Sequence, residues 1–246
     1  SSLLVETLTR FAHTCRFYGA GVRAVGTSAL RGAADRDTVV TRVFEATGLK
    51  LDVISGLDEA RLACLGVRGG AGAHERALCI DVGGGSTEVV LAHGERPERL
   101  WSGELGSVRL AQSYGDDLTA LRAAAGHAIA TLAGDAGATI DVPMAIGCSG
   151  SVRALIDFAT ERARDWATVH ELGGAAEELA RMRPKRRLRF FSPSRAQVIV
   201  PAAAILEATL RQFGVYSVRA TRRGLRDGVL LELARASVVT PAQLRA

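Results

Sequence analysis

Ala77-Leu-Cys-Ile-Asp-Val-Gly-Gly-Gly-Ser-Thr-Glu-Val-Val-Leu-Ala92 places an acid and three glycines between two apolar runs. The runs Leu78-Cys79-Ile80 and Val89-Val90-Leu91 are nearly continuous rather than alternating, as in strands covered on both faces. The stretch therefore reads as strand, phosphate loop, strand. Asp81 ends the first run, where its carboxylate can reach a metal ion. Gly83, Gly84 and Gly85 remove the side chains that would keep a backbone away from a polyanion. Ser86, Thr87 and Glu88 open the second run. Taken alone, such a turn is also an ordinary hairpin loop, and the flanking segments have to decide.

On the amino-terminal side, Leu4, Val5, Leu8, Phe11, Ala12 and Cys15 recur at helical spacing, and Gly19 sits where a cap would end that helix. Residues 21–26 read as a strand followed by Thr27-Ser28-Ala29-Leu30-Arg31, hydroxyls and a guanidinium just past a strand's carboxyl end, where ligands sit in open α/β sheets. A helix from Asp37 as cap to Gly48 and a strand over Leu51–Ile54 come next. Ser55 then caps another helix with Asp58 as its capping-box partner. Glu59 falls in the first turn, either a carboxylate favoured by the helix dipole or a functional acid at the strand end. Gly69-Gly-Ala-Gly-Ala73 reads as a hinge between two lobes.

On the carboxyl side, a turn at 93–97 and a strand through Leu100–Ser102 make an antiparallel start to a second sheet. Helices are expected from Leu105 and over Leu118–Leu132. A strand at 143–150 ends in the small residues Gly147, Ser149 and Gly150, which admit a ligand or simply make a tight turn, with a helix over Val152–Phe158 behind it. Helices at about 194–213 and 223–233 flank a strand over Val215–Val218. Residues 181–189, Arg-Met-Arg-Pro-Lys-Arg-Arg-Leu-Arg, form the densest basic run, with Phe190 and Phe191 beside it. The run is either a solvated helix end or a patch for a polyanion, whose affinity would fall steeply with salt.

Composition narrows the classes. The chain of 246 residues is 48% hydrophobic and 23% charged, an ordinary globular balance, and its net charge of +5 suits an anionic ligand. Its longest uncharged apolar run, Val198–Leu206, is interrupted by Pro201 and has about half the ~20 residues a membrane helix requires. The start shows no basic region or cleavage pattern, so no signal peptide is expected. Four cysteines without CxxC spacing argue for reduced thiols in the cytoplasm and against zinc. None of the five histidines pairs at ligand spacing, and no serine lies in a nucleophile elbow. What remains is acids, arginines and glycine loops, a set suited to phosphate chemistry.

In chain order, Gly26-Thr-Ser-Ala-Leu-Arg31, Val53-Ile-Ser-Gly-Leu-Asp-Glu-Ala-Arg-Leu62, Ile80-Asp-Val-Gly-Gly-Gly-Ser-Thr-Glu88, Leu105-Gly-Ser-Val-Arg-Leu110 and Arg223-Gly-Leu-Arg-Asp-Gly228 resemble the motifs of the Ppx/GppA family of exopolyphosphatases and guanosine pentaphosphate phosphohydrolases. The resemblance implies an α/β, actin-like ATPase (ribonuclease H-like) two-lobe fold with mixed sheets. Residues 1–68 would form the first lobe and 74–246 the second, with the last helix (about 227–240) packing back on the first. It implies Glu59 as catalytic carboxylate with Glu88 as the other candidate, and Asp81 as a ligand of magnesium or manganese. Phosphate would be bound by Thr27, Ser28, Arg31, Gly83, Gly84, Gly85, Ser86, Gly147, Ser149 and Gly150. The implied partner is polyphosphate or guanosine pentaphosphate, with no membrane and no specific nucleic acid, and a homodimer is among the assemblies it allows. Nothing here matches the family's opening Asp-x-Gly-Ser-Asn-Ser loop. The first lobe is therefore expected to be incomplete, its opening strands absent, and the chain weakly active or inactive.

Overall fold

The structure, a computed structural model, describes residues 2–69, 74–134 and 140–239. The hinge read at 69–73 thus lies outside the described residues, Gly69 excepted. The chain opens with α1 (Ser2–Phe17), which ends near Gly19 at φ 61°. Then come β1 (Ala24–Gly26), the single turn α2 (Ser28–Arg31), α3 (Arg36–Thr47), β2 (Leu51–Val53) and α4 (Gly56–Arg68). Helix α3 starts two residues earlier than expected: Asp35 is its cap residue, and Asp37 pairs with Arg36 inside the first turn. Gly48 closes it at φ 71°, a left-handed conformation that only glycine adopts without cost.

β1 and β2 form a parallel two-stranded sheet, with Ala24 beside Leu51 and Gly26 beside Val53. Because the strands run the same way, the loops at their carboxyl ends, one carrying Arg31 and the other Glu59, emerge side by side. Ser55 caps α4 by accepting from the Asp58 amide at 3.1 Å. The reciprocal half of the expected box differs, since the Ser55 hydroxyl donates to the Asp58 carboxylate.

The remainder builds a six-stranded sheet in the order β5-β4-β3-β6-β8-β7. β3 (Arg76–Val82), β4 (Thr87–His93) and β5 (Arg96–Gly103) form an antiparallel meander, as the short turns require. β6 (Ala145–Gly147) and β8 (Ser217–Ala220) continue it in parallel, and β7 (Trp166–Thr168) closes the edge antiparallel to β8. The helices are α5 (Ser107–Tyr114), α6 (Leu118–Ala133), α7 (Gly150–Ala159), α8 (Val169–Arg181), the short α9 (Pro184–Arg187) and α10 (Pro193–Ala196), α11 (Ile199–Gln212) and α12 (Leu225–Val239).

The sheet is buried on both faces. Even-numbered β3 residues Leu78, Ile80 and Val82 join the large core with Leu121, Ile129, Leu155, Ile205 and Leu210 from the helices on one side. Odd-numbered Cys79 turns to the other side, with Val90 and Ala92 of β4, and meets Ala60, Cys64 and Val67 of α4. Helix α4 is thus the lid of the second sheet as well as the continuation of the first. Its outer side is covered in turn by α12. Gly66 and Gly228 make that crossing close: a Cβ on Gly66 would stand 1.8 Å from the Gly224 carbonyl oxygen, and one on Gly228 1.8 Å from that of Leu62. Arg23 and Arg61 both bind Glu232, tying α12 to the first sheet and to α4.

Candidate active site

The register of the meander assembles the acids. Asp81 and Glu88 are partners in the β3–β4 ladder, and Glu88 is the partner of Ser102 in β4–β5, so the three side chains form a row on the α4 face. Ser102 donates to Glu88 at 3.0 Å. Above the row, the first turn of α4 contributes Glu59, which is buried and receives Arg31 Nη1 at 2.7 Å. The same Nη1 donates to the Ile54 carbonyl at 3.0 Å, so Arg31 bridges the end of one strand to the helix that follows the next.

Like charges directly opposed in a ladder repel, and Glu88 is buried while Asp81 is half-buried. Burial, reinforced by the Glu59 charge, raises the Asp81 carboxyl to about 6, although a hydrogen bond with Cys148 pulls the other way. Burial together with the charges of Glu59 and Asp81 raises Glu88 to about 8, against the stabilising hydrogen bonds of Ser86 and Ser102. These are the positions that gain most from a cation. Among the described residues no three His, Cys, Asp or Glu side chains converge tightly enough to enclose a metal by themselves. That donor set still fits magnesium, which habitually takes one or two carboxylates and completes its shell with water and substrate phosphates.

The glycine loop faces the acids and is braced from behind. The amides of Ser107 and Val108 at the start of α5 donate to the Gly83 and Gly84 carbonyls, and Arg109 Nε donates to Gly85 at 2.9 Å. With its carbonyls tied back to α5, the loop leaves the Gly84 and Gly85 amides without an acceptor among the described residues. Glycine is required by close approach: a Cβ on Gly85 would lie 2.6 Å from Ser28 Oγ, and one on Gly106 would lie 2.1 Å from the Gly84 carbonyl oxygen. Ser28 comes from the other sheet's loop, is buried, and its hydroxyl has no hydrogen-bond partner. An unpaired buried hydroxyl beside unpaired amides is an unusual arrangement and calls for a ligand oxygen.

The structure thus brings together Ser28, Arg31, Glu59, Asp81, Gly83, Gly84, Gly85, Ser86 and Glu88. Thr27 caps α2 at the edge of this group, and its hydroxyl makes no cap bond. The third loop is less clearly aimed at a ligand. Gly147 has a packing reason, since a Cβ there would meet Val152 Cγ1 at 2.4 Å. Ser149 caps α7, accepting from the Val152 amide at 3.1 Å. Gly150 lies under Arg195, whose Nη2 would be 2.5 Å from a Cβ at that position. Arg109 also belongs beside the loop: its Nε donates to the Gly85 carbonyl, and its Nη2 would lie 3.4 Å from a Cβ on Gly32. Its place two residues after Ser107, in a stretch following the glycine loop, was the available signal.

A family model described as the Ppx/GppA phosphatase family matches residues 3–236. The chain is 32% identical to a Mycobacterium leprae protein named exopolyphosphatase 1, over 93% of this chain and 73% of that one. It is 28% identical to the guanosine-5'-triphosphate,3'-diphosphate pyrophosphatase of Photobacterium profundum, over 86% of this chain and 44% of the other. A solved exopolyphosphatase from Cytophaga hutchinsonii superposes with a TM-score of 0.82 at 22% identity, covering 95% of this chain and 81% of that one. The Aquifex aeolicus member of the Ppx/GppA family does so with a TM-score of 0.80 at 21% identity, covering 96% and 81%.

Proposed function

The chain belongs to the Ppx/GppA phosphatase family, and from that premise we propose that it hydrolyses the terminal phosphoanhydride of inorganic polyphosphate, releasing orthophosphate. The observation that carries the proposal is the convergence of Glu59, Asp81 and Glu88 on the glycine loop, with Arg31 and the unpaired Ser28 hydroxyl from the facing element. The relative named exopolyphosphatase is matched at higher identity and over more of its length than the guanosine nucleotide pyrophosphatase, which favours polyphosphate. The same geometry would accept guanosine pentaphosphate, since both present a terminal phosphoanhydride.

In this reading the Gly84 and Gly85 amides, Ser28 Oγ and the Arg31 guanidinium hold the terminal phosphate. Glu59 orients a water molecule and takes its proton as the water oxygen bonds to phosphorus. The bridging P–O bond breaks, and the leaving phosphate oxygen keeps the electron pair. Glu59 suits this task better than Glu88, whose carboxyl, near 8, holds its proton at neutral pH when no cation is near. Asp81 and Glu88 would hold a magnesium or manganese ion, which when bound supplies positive charge against the phosphate oxygens.

Among the described residues Arg31 and Glu59 both hang from the ends of a sheet of two strands, a marginal support on its own. We therefore expect slow turnover by this 246-residue chain. All four cysteines are free thiols, in keeping with a cytoplasmic setting. The test is phosphate release from polyphosphate with magnesium and with chelator. Glu59→Gln should lower kcat by about 10²- to 10⁴-fold with little change in KM. Undiminished turnover by that variant would remove Glu59 from the mechanism, and turnover unaffected by chelation would remove the metal.

A further inference from the structure

Three of the chain's four cysteines gather at one place, beside the row of acids. Cys64 of α4 is fully buried, Cys79 of β3 is buried, and Cys148, half-buried, lies in the turn after β6. Ala60, Cys64 and Val67 follow one another along the inner face of α4, so Cys64 is the middle contact of that helix with Cys79 and Val90 of the sheet. The two thiols interact directly across this contact. That interaction lowers the Cys64 thiol below its usual range against the effect of burial, with help from the Arg68 charge. Cys148 engages the site instead: its thiol donates to the Ile80 carbonyl at 3.5 Å and shares a hydrogen bond with Asp81.

A single buried cysteine is ordinarily a small apolar filler. A pair in contact acquires another property when its two backbones carry groups whose spacing matters, and here they do. Cys64 follows Glu59 on the same helix by about one and a half turns. Cys79 precedes Asp81 by one pleat and shares its face of β3. The separation of the two sulfurs therefore reports, and can set, the separation of two acids of the site. Non-bonded heavy atoms in contact stand about 3.5–4 Å apart, whereas bonded sulfurs are about 2.0 Å apart. A bond between Cys64 and Cys79 would draw α4 toward the sheet and away from its close seat on α12, where a Cβ on Gly66 would lie 1.8 Å from the Gly224 carbonyl oxygen.

We propose that Cys64 and Cys79 form a redox-active dithiol site: peroxide converts the pair to a disulfide that shifts α4 on β3 and slows phosphate release, and a thiol reductant restores it. The effect on turnover rests on the phosphohydrolase reading, whereas the disulfide itself does not. The Cys64 sulfur, as thiolate, attacks one peroxide oxygen and breaks the O–O bond, giving a sulfenic acid while the other oxygen leaves and is protonated to water. The Cys79 sulfur then attacks the sulfenic sulfur, the S–S bond forms, and the sulfenic oxygen departs with the Cys79 proton as a second water. The two sulfurs lose the two electrons that the peroxide oxygens gain. Both thiols are buried, so peroxide reaches them through brief local openings and the reaction is slow. Transient disulfides of this kind are the ones found among cytoplasmic proteins.

The test treats the full chain with graded hydrogen peroxide, blocks remaining thiols and maps the cross-linked peptides by mass spectrometry, before and after reduction with dithiothreitol. The expected product is a disulfide between Cys64 and Cys79. Oxidised protein should melt several degrees higher, because the cross-link restricts the unfolded chain. It should release phosphate from polyphosphate about tenfold more slowly, in kcat, with KM within about twofold, since a displacement near 1 Å at a reacting group has effects of that order or larger. Reduction should reverse both changes. Cys64→Ala and Cys79→Ala should each abolish the cross-link, the melting shift and the loss of turnover, whereas Cys15→Ser, on α1, should respond as wild type does. Mapping on the wild type decides the bond even where a buried alanine weakens the fold. No disulfide between these two residues at saturating peroxide overturns the proposal. So does a disulfide that leaves turnover unchanged, or a loss of turnover that persists in both alanine variants and follows oxidation of Cys148. Should the reduced wild type release no phosphate from any substrate, the phosphohydrolase reading fails by itself, and mapping with the reversible melting shift still decides the dithiol.

Discussion

Three side chains in the site sit where stability and function pull apart. Glu88 is raised to about 8 by burial and by its acidic neighbours, whereas in an unfolded chain it titrates near 4.5. Between those values the folded state binds the proton that the unfolded state releases, so stability falls as pH rises across that window. Asp81 adds the same sign between about 4 and 6. Melting without divalent cations should therefore move down by several degrees from pH 5 to pH 8. Glu88→Gln should flatten most of that slope and be more stable than wild type at pH 8, and magnesium should restore part of the loss for wild type. Ser28 makes a second case. Its hydroxyl is buried without a partner, so Ser28→Ala should leave stability unchanged or raise it by up to about 1 kcal/mol in thermal unfolding. The same variant should raise KM for polyphosphate several-fold, which steady-state kinetics would show.

The elements legible in the sequence are those with local signatures. The meander β3-β4-β5, the capped start of α4 and the helices α6, α7 and α11 are carried by apolar runs, short turns and caps within a few residues of each other. β7 and α8 are not evident in the sequence. The signal was present, because Thr168-Val-His-Glu171 is a capping box and the structure shows both of its hydrogen bonds. Gly173 and Gly174 mask it, each costing about 1 kcal/mol in helix propensity. Gly173 is accommodated because Glu207 and Arg122 pack over it, a contact invisible at short range. The site shows the same division. Asp81 and Glu88 could be paired from the hairpin alone, but the meeting of Arg31 with Glu59 depends on the parallel pairing of β1 and β2 across an intervening helix. The packing role of Gly147 likewise depends on Val152 and Val218, one on the next helix and one on a distant strand. At the α4–α12 crossing, Gly66→Ala or Gly228→Ala would drive a methyl group into backbone carbonyls that cannot yield as a side chain would. Either should destabilise by about 3 kcal/mol in denaturant unfolding, at the upper end of what overpacking costs.

At the scale of the whole molecule, the apolar core is unevenly divided. The six-stranded sheet and its helices share one large cluster, whereas the first sheet relies on Val39, Val43 and Leu51 with partly buried neighbours. Leu3, Phe11, Phe17, Tyr18 and Phe44, all from α1, α3 and their ends, remain exposed. Local opening should be easiest there, so hydrogen exchange should show amides of β1, β2, α1 and α3 exchanging orders of magnitude faster than those of β3, β6 and α11. Protection equal across the chain would contradict this division. Helix α4 stands between the two regimes, pressed on the large sheet by one side and held by α12 on the other. That last contact has a biosynthetic consequence. The carboxylate at Glu59 lies in the first quarter of the chain, yet the helix that clamps its own helix begins only at Leu225. A nascent chain emerging from the ribosome would hold every acid of the site well before anything fixed their spacing. Competence would then arrive late, with the docking of the last helix, and incomplete translation products would carry the motifs without the chemistry.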